Sequence, residues 1–122
     1  MPTPKLKTTE ADLREQIRTL CKLYGWLMYF TWNSRNSPSG FPDLVLVNPQ
    51  QKRVVFAELK GKGKMPTPAQ QDWLDCLKAC GQEVEVWRPD DINRITWLLQ
   101  PQEHKWTATP PCAMDGSASG KT

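Results

Sequence analysis

The chain has 122 residues, of which 39% are hydrophobic and 24% charged, enough for one domain with its own core and too few for two. Sixteen Lys and Arg against thirteen Asp and Glu leave a net charge of +3, which permits a polyanionic partner without demanding one. No apolar run approaches the roughly 18–20 residues of a membrane span, and the N-terminus has no apolar signal region, so a soluble protein of the cytoplasm is expected.

Residues 1–8, rich in Pro and Lys, are expected to be mobile. Thr9 followed by Asp12 is a capping pattern that opens a first helix. Its apolar positions Leu13, Ile17, Leu20, Cys21 and Tyr24 share one face, and Gly25 stops it. An aromatic strand, Trp26–Trp32, leads into a loop dense in turn formers, Asn33–Gly40. The runs Asp43–Val47 and Arg53–Lys60 flank Asn48–Lys52 and read as a hairpin. A Gly- and Lys-rich break, Gly61–Pro66, precedes a second helix over about Thr67–Ala79, with Ala69, Trp73, Cys76, Leu77 and Cys80 on one face. Gly81 ends that helix. Val84–Arg88 forms a short strand, and a last helix covers about Asp90–Leu99. The folded region is thus 9–106, and the small, Pro-containing stretch 107–122 reads as a disordered tail. The order is α-β-β-β-α-β-α, an α/β fold with a mixed central sheet flanked by helices.

Residue counts remove several chemistries. Cys21, Cys76, Cys80 and Cys112 lack C-x-x-C spacing and read as reduced thiols, so a structural zinc is not expected, and His104 as the lone histidine excludes mechanisms built on paired histidines. A Ser-His-Asp triad would have to use His104, which reads as a surface residue. The chemistry left runs on carboxylates, lysines or a hydroxyl. If the hairpin turn centres between Gln50 and Gln51, Asp43 stands opposite Glu58, with Cβ atoms roughly 4.5–5.5 Å apart. Lys60 then lies on the side of Glu58, about 6.4–6.8 Å along the strand. Two facing carboxylates repel unless a cation lies between them, and oxygen-only ligands suit Mg²⁺ or Mn²⁺. Such an ion activates water and takes phosphate oxygens, with Lys60 orienting the water or stabilising the developing charge.

Helical geometry adds two members. Glu10 falls within about 60° of Leu13 and about 20° of Ile17, so it projects along the buried stripe, where metal coordination is one reason for a carboxylate. The plainer reading is a first-turn Glu favoured by the helix dipole. Gln70 sits about 60° from Trp73, at the edge of the apolar face, within reach of a phosphate or the attacking water.

The run Gly40-Phe41-Pro42-Asp43, then Glu58-Leu59-Lys60, Gln70 and Val84-Glu85-Val86, resembles the PD-(D/E)XK nucleases and, among them, the virus-type replication-repair nuclease (VRR-NUC) domain. The likeness covers about residues 9–90. It implies a restriction-endonuclease-like fold and a metal-dependent DNA endonuclease. Asp43 and Glu58 would be metal ligands, the Leu59 carbonyl a third, with Glu10 at or near the ion and Lys60 and Gln70 acting on the nucleophile. Standalone, phage-type members look like homodimers that cut branched DNA in the manner of Holliday-junction resolvases, which would place this chain in a bacterial host's cytoplasm. Members fused to other domains act in crosslink repair. Lys62 and Lys64 would contact DNA phosphates, or else form a solvated hinge. Arg35 is a further phosphate candidate and Trp32 a candidate for stacking on an exposed base, whereas Trp26, Trp73 and Trp97 are assigned to packing. The competing reading is a DNA-binding module that keeps the nuclease fold and does not cut; RNA substrates and a protein-interaction domain rank lower.

Overall fold

Caps and turn residues mark the elements almost where the sequence places them. In the computed structural model, which describes residues 9–31 and 36–101, the first helix α1 spans Glu10–Tyr24. Thr9 Oγ1 accepts from the Asp12 amide and Asp12 Oδ2 accepts from the Thr9 amide, both at 3.0 Å, so the shorter Asp closes the capping box. Gly25 ends the helix in the left-handed conformation at φ 82°. The expected mobile N-terminus and tail lie outside the described residues, as do Trp32 and Arg35.

Strand β1 is Leu27–Phe30, shorter at its start than the expected Trp26–Trp32. Trp26 is withdrawn into the core, where its indole donates to the Leu99 carbonyl at 2.8 Å and the Arg53 guanidinium stacks on its ring. Strands β2 (Leu44–Asn48) and β3 (Arg53–Leu59) form the hairpin, paired from Leu44 opposite Ala57 to Asn48 opposite Arg53. Asn48 shapes the turn from inside: its Oδ1 accepts from the Gln51 amide and its Nδ2 donates to the Tyr24 carbonyl. Helix α2 (Pro68–Ala79) crosses to strand β4 (Glu83–Trp87), which runs parallel to β3. A single 3₁₀ turn, Pro89–Asp91, leads into α3 (Ile92–Leu99). The sheet order is β1-β2-β3-β4, the mixed sheet expected.

One face of the sheet, including Leu44, Leu46, Val55, Ala57, Leu59 and Trp87, packs under α1 and α3 through Leu13, Ile17, Ile95 and Leu99. The other face is covered by α2 on its β4 side, with Phe41 wedged edge-on against Trp73 and Phe56. Two packing expectations are corrected. On α2 the inward residue is Leu74, flanked by half-buried Trp73 and Leu77, while Cys76 and Cys80 are exposed. The helix meets β4 along a narrow stripe, and that stripe rather than the widest apolar arc decides what is covered. Trp97 is 51% exposed, because the inward stripe of the short α3 is Ile95 and Leu99.

Gly40 joins this scaffold to the loop that carries Asp43. Its φ is +97°, and a Cβ there would sit 2.5 Å from the Ala69 carbonyl oxygen in the first turn of α2. Gly63 also has positive φ, at +76°, yet nothing lies within 4 Å of its Cβ position. Gly40→Ala is therefore expected to lower stability to denaturant by more than the roughly 1–3 kcal/mol of left-handed strain alone, and Gly63→Ala by no more than that strain. Equal losses for the two variants would mean that the loop yields freely at Ala69.

Candidate active site

The hairpin register brings the start of β2 beside the end of β3, so Asp43 lies opposite Glu58, as a turn centred between Gln50 and Gln51 requires. Asp43 Oδ2 accepts a hydrogen bond from the Leu59 amide at 2.9 Å, which ties the two strand ends together. Glu58 is 1% exposed. Its Oε2 lies 3.6 Å from Lys60 Nζ, and its Oε1 is buried with no hydrogen-bond partner. The Lys60 amide donates to the Trp87 carbonyl at 3.0 Å, extending the β3–β4 pairing and fixing where that side chain leaves the backbone.

Burial drives the Glu58 pKa up to about 8, the nearby Asp43 charge and carboxyl push the same way, and Lys60 opposes them. A sealed carboxylate with an idle oxygen is expensive unless something positive meets it. Two carboxylates with free lone pairs suit a hard divalent cation that keeps several waters and accepts phosphate oxygens. The donor set therefore fits Mg²⁺ or Mn²⁺, held by Asp43 and Glu58. Among the described residues no three His, Cys, Asp or Glu side chains gather as a ligand set, so a bound ion would rely on water and substrate for its remaining positions.

The other candidates are arranged around this centre. Glu10 is exposed, because the first turn of α1 overhangs the core; its Oε2 accepts from the Gly61 amide at 3.2 Å, one residue past Lys60. Leu59, the residue after Glu58, is buried in the core, and its amide holds Asp43. Gln70 is half-buried, and its Oε1 is committed to the α2 capping box, accepting from the Thr67 amide at 2.8 Å. Only its NH₂ end is left to face a phosphate or a water. Lys62 and Lys64 are exposed on the loop after β3.

Arg88 was not singled out from the sequence. Its guanidinium donates to the Lys64 carbonyl at 2.6 Å and approaches the Met65 sulfur at 3.7 Å, so it braces the lysine-bearing loop. The signal was hidden because only the parallel pairing of Leu59 with Trp87 brings residue 88 beside that loop.

The raised Glu58 pKa has a sign that can be checked. The folded protein holds a proton that the unfolded chain releases in the ordinary carboxylate range, so stability falls as pH rises from there through about 8. In EDTA, the melting temperature of Glu58→Gln minus that of the wild type should grow between about pH 5 and about pH 8, to about 5 °C or more. Added Mg²⁺ should raise the wild-type melting temperature at about pH 8 and leave the variant unmoved. A pH-independent difference would show that Glu58 ionises normally.

Comparison with known proteins places this geometry. Residues 2–91 match the VRR-NUC domain family. Among curated relatives, a Fanconi-associated nuclease 1 homolog of Caenorhabditis elegans is 48% identical over 54 residues, which are 44% of this chain and 6% of that protein. The Schizosaccharomyces pombe homolog is 39% identical over 56 residues, 46% of this chain and 8% of the relative. The chain thus spans less than a tenth of the relatives it matches. Two solved structures titled as VRR_NUC domains share the fold: one has a TM-score of 0.60 at 20% identity, covering 70% of this chain and 91% of its own. The other has a TM-score of 0.55 at 19% identity, covering 80% and 91%. With the match extending from before α1 to the turn after β4, the chain belongs to the VRR-NUC domain family.

Proposed function

We propose that this chain is a metal-dependent DNA endonuclease domain that hydrolyses phosphodiester bonds. One observation carries the reading: a fully buried glutamate with an unpartnered oxygen, facing an aspartate across a hairpin, with a lysine ammonium 3.6 Å away. A protein gains no stability from such a pair by itself, and the arrangement is explained by a ligand that the carboxylates and the lysine share. The family and the names of its nuclease relatives support the same reading.

Asp43 and Glu58 would hold a Mg²⁺ or Mn²⁺ ion, whose chemistry is to polarise the phosphate and lower the pKa of a bound water. Glu58 must give up its proton for this, and Lys60 favours the ionised form from one side. Lys60, its side chain 14% exposed and its backbone tethered through the amide, orients the attacking water and stabilises charge that grows on the phosphate oxygens. The free NH₂ of Gln70 donates to the same region, while Lys62 and Lys64 grip flanking phosphates without reading bases. Glu10 shapes the rim through Gly61 and stands ready to add an outer carboxylate.

Each chain offers one such centre, so cutting both strands of a branched or duplex DNA requires a second copy related by a two-fold axis. The substrate we favour is branched DNA bound by a homodimer. The edge strand β1, with Leu27 and Tyr29 exposed, supplies an apolar surface for that pairing.

Of labelled four-way junction, flap, duplex and single-stranded DNA, the branched forms should be cut best with Mg²⁺ or Mn²⁺, and EDTA should abolish cutting. Lys60→Ala should lower the rate by about 10²–10³ while retaining the wild-type melting temperature. A folded wild-type protein that binds these DNAs and leaves them intact would establish the non-cleaving module instead. Sedimentation in the absence of DNA checks the dimer, and a monomer there would remove the two-site argument.

A further inference from the structure

The cations named so far lie on the β3–β4 side of the site. On the other side, α1 lays two arginines against one aromatic ring. The Arg14 and Arg18 guanidinium carbons lie 5.1 and 5.2 Å from the centre of the Phe30 ring. Successive arginines at i and i+4 repel, and no carboxylate pairs with Arg14 among the described residues. Glu10, one turn before it, spends its carboxylate on Gly61, and Glu15 pairs with Arg18. Among the described residues Arg14 Nε is buried without a hydrogen-bond partner, and the ring holds the guanidinium in place.

The position of the ring gives this pair a use. Phe30 ends β1 and pairs with Leu44, the residue after Asp43, and the Thr31 amide donates to the Asp43 carbonyl at 3.1 Å. The stack therefore stands at the same end of the sheet as Asp43 and Glu58, on the face opposite α2. Ionised carboxylates at that end repel a phosphodiester, and cations on both flanks offset the repulsion. Three strand spacings separate β1 from β4, about 14 Å, enough to place the two flanks on different phosphates of one DNA.

Resting on the nuclease reading above, we propose that Arg14 and Arg18, stacked on Phe30, form a second backbone-phosphate contact that holds DNA on the α1 side of the site. The contact is blind to base sequence, because guanidinium groups there meet phosphate oxygens. It takes DNA further from the cut bond and sets how the strand enters.

Anisotropy of a fluorescein-labelled DNA duplex, titrated over a range of NaCl with a fixed low concentration of Ca²⁺ as the hard cation, tests this. Arg14→Gln should weaken binding equally for duplexes of different sequence and reduce the slope of log affinity against log salt by about 1. Arg14→Lys, which keeps the charge, should keep the slope. A purely structural role would lower the melting temperature and leave the slope unchanged, which overturns the proposal. Should Arg14→Gln fail to fold, Arg18→Gln, whose side chain is 35% exposed, reads the same slope. Wild-type protein that binds DNA without cutting would sink the nuclease reading and leave this contact standing. An unchanged slope in a cutting enzyme sinks the contact alone, and a wild type that binds no DNA sinks both.

Discussion

The burial of the Glu58 carboxylate beside Asp43 is the constraint around which the rest of this domain is arranged. Ionising a carboxyl group sealed from water raises the free energy of the fold, and here a second carboxylate adds to that cost, so the Glu58 pKa is pushed up to about 8. Neighbouring structure has to hold both in place without neutralising them by ordinary salt bridges. The Leu59 amide does this for Asp43, and the β3–β4 pairing that continues through Lys60 does it for the lysine. Among the described residues only Lys60 approaches Glu58 with positive charge, at a distance long for an ion pair, and one carboxylate oxygen is left idle. Burial and unpaired polar atoms are thus concentrated where the Asp43 loop meets the end of β3, an arrangement that suits a ligand.

The helices frame that site from three directions. The capping box of α2 uses Gln70, whose carbonyl is spent on the Thr67 amide and whose half-buried NH₂ end has no partner from that box. Gly40 brings the Asp43 loop against the first turn of α2, closer than any side chain would allow. From the other face, α1 starts beside Gly61 and leads its two arginines along Phe30. The core below, from Leu13 and Ile17 to Trp87 and Leu99, fixes these three approaches relative to one another. Local acidity at the centre and basic groups on the flanks then follow from the register of one hairpin.

Much of this was readable from residues alone because it depends on local rules. The Thr9 and Gly25 signals bound α1, and the Asn48–Lys52 turn sets the register that opposes Asp43 to Glu58. Other features were not, and each miss has the same origin. Trp26 looked like a strand residue until Leu99 offered its carbonyl to the indole. Cys76 and Cys80 looked inward because the wheel shows which residues are apolar and not how wide a stripe β4 will cover. Glu10 shares the angular position of buried residues yet lies beyond the end of the core, where angle says nothing about depth. Arg88 had no local signature at all, since its partner loop lies more than twenty residues earlier.

The amino-acid sequence by itself determined the order of elements, the hairpin register and the identity of the acidic pair and its lysine, because caps, turns and period-two alternation act over a few residues. Only the tertiary structure decided which carboxylate is sealed, where Glu10 and Gln70 spend their hydrogen bonds, and that Arg14 lies on Phe30 and Arg88 against the Lys64 loop. Burial and electrostatic environment are sums over segments far apart in the chain, and they acquire values only once the sheet and helices have closed on each other.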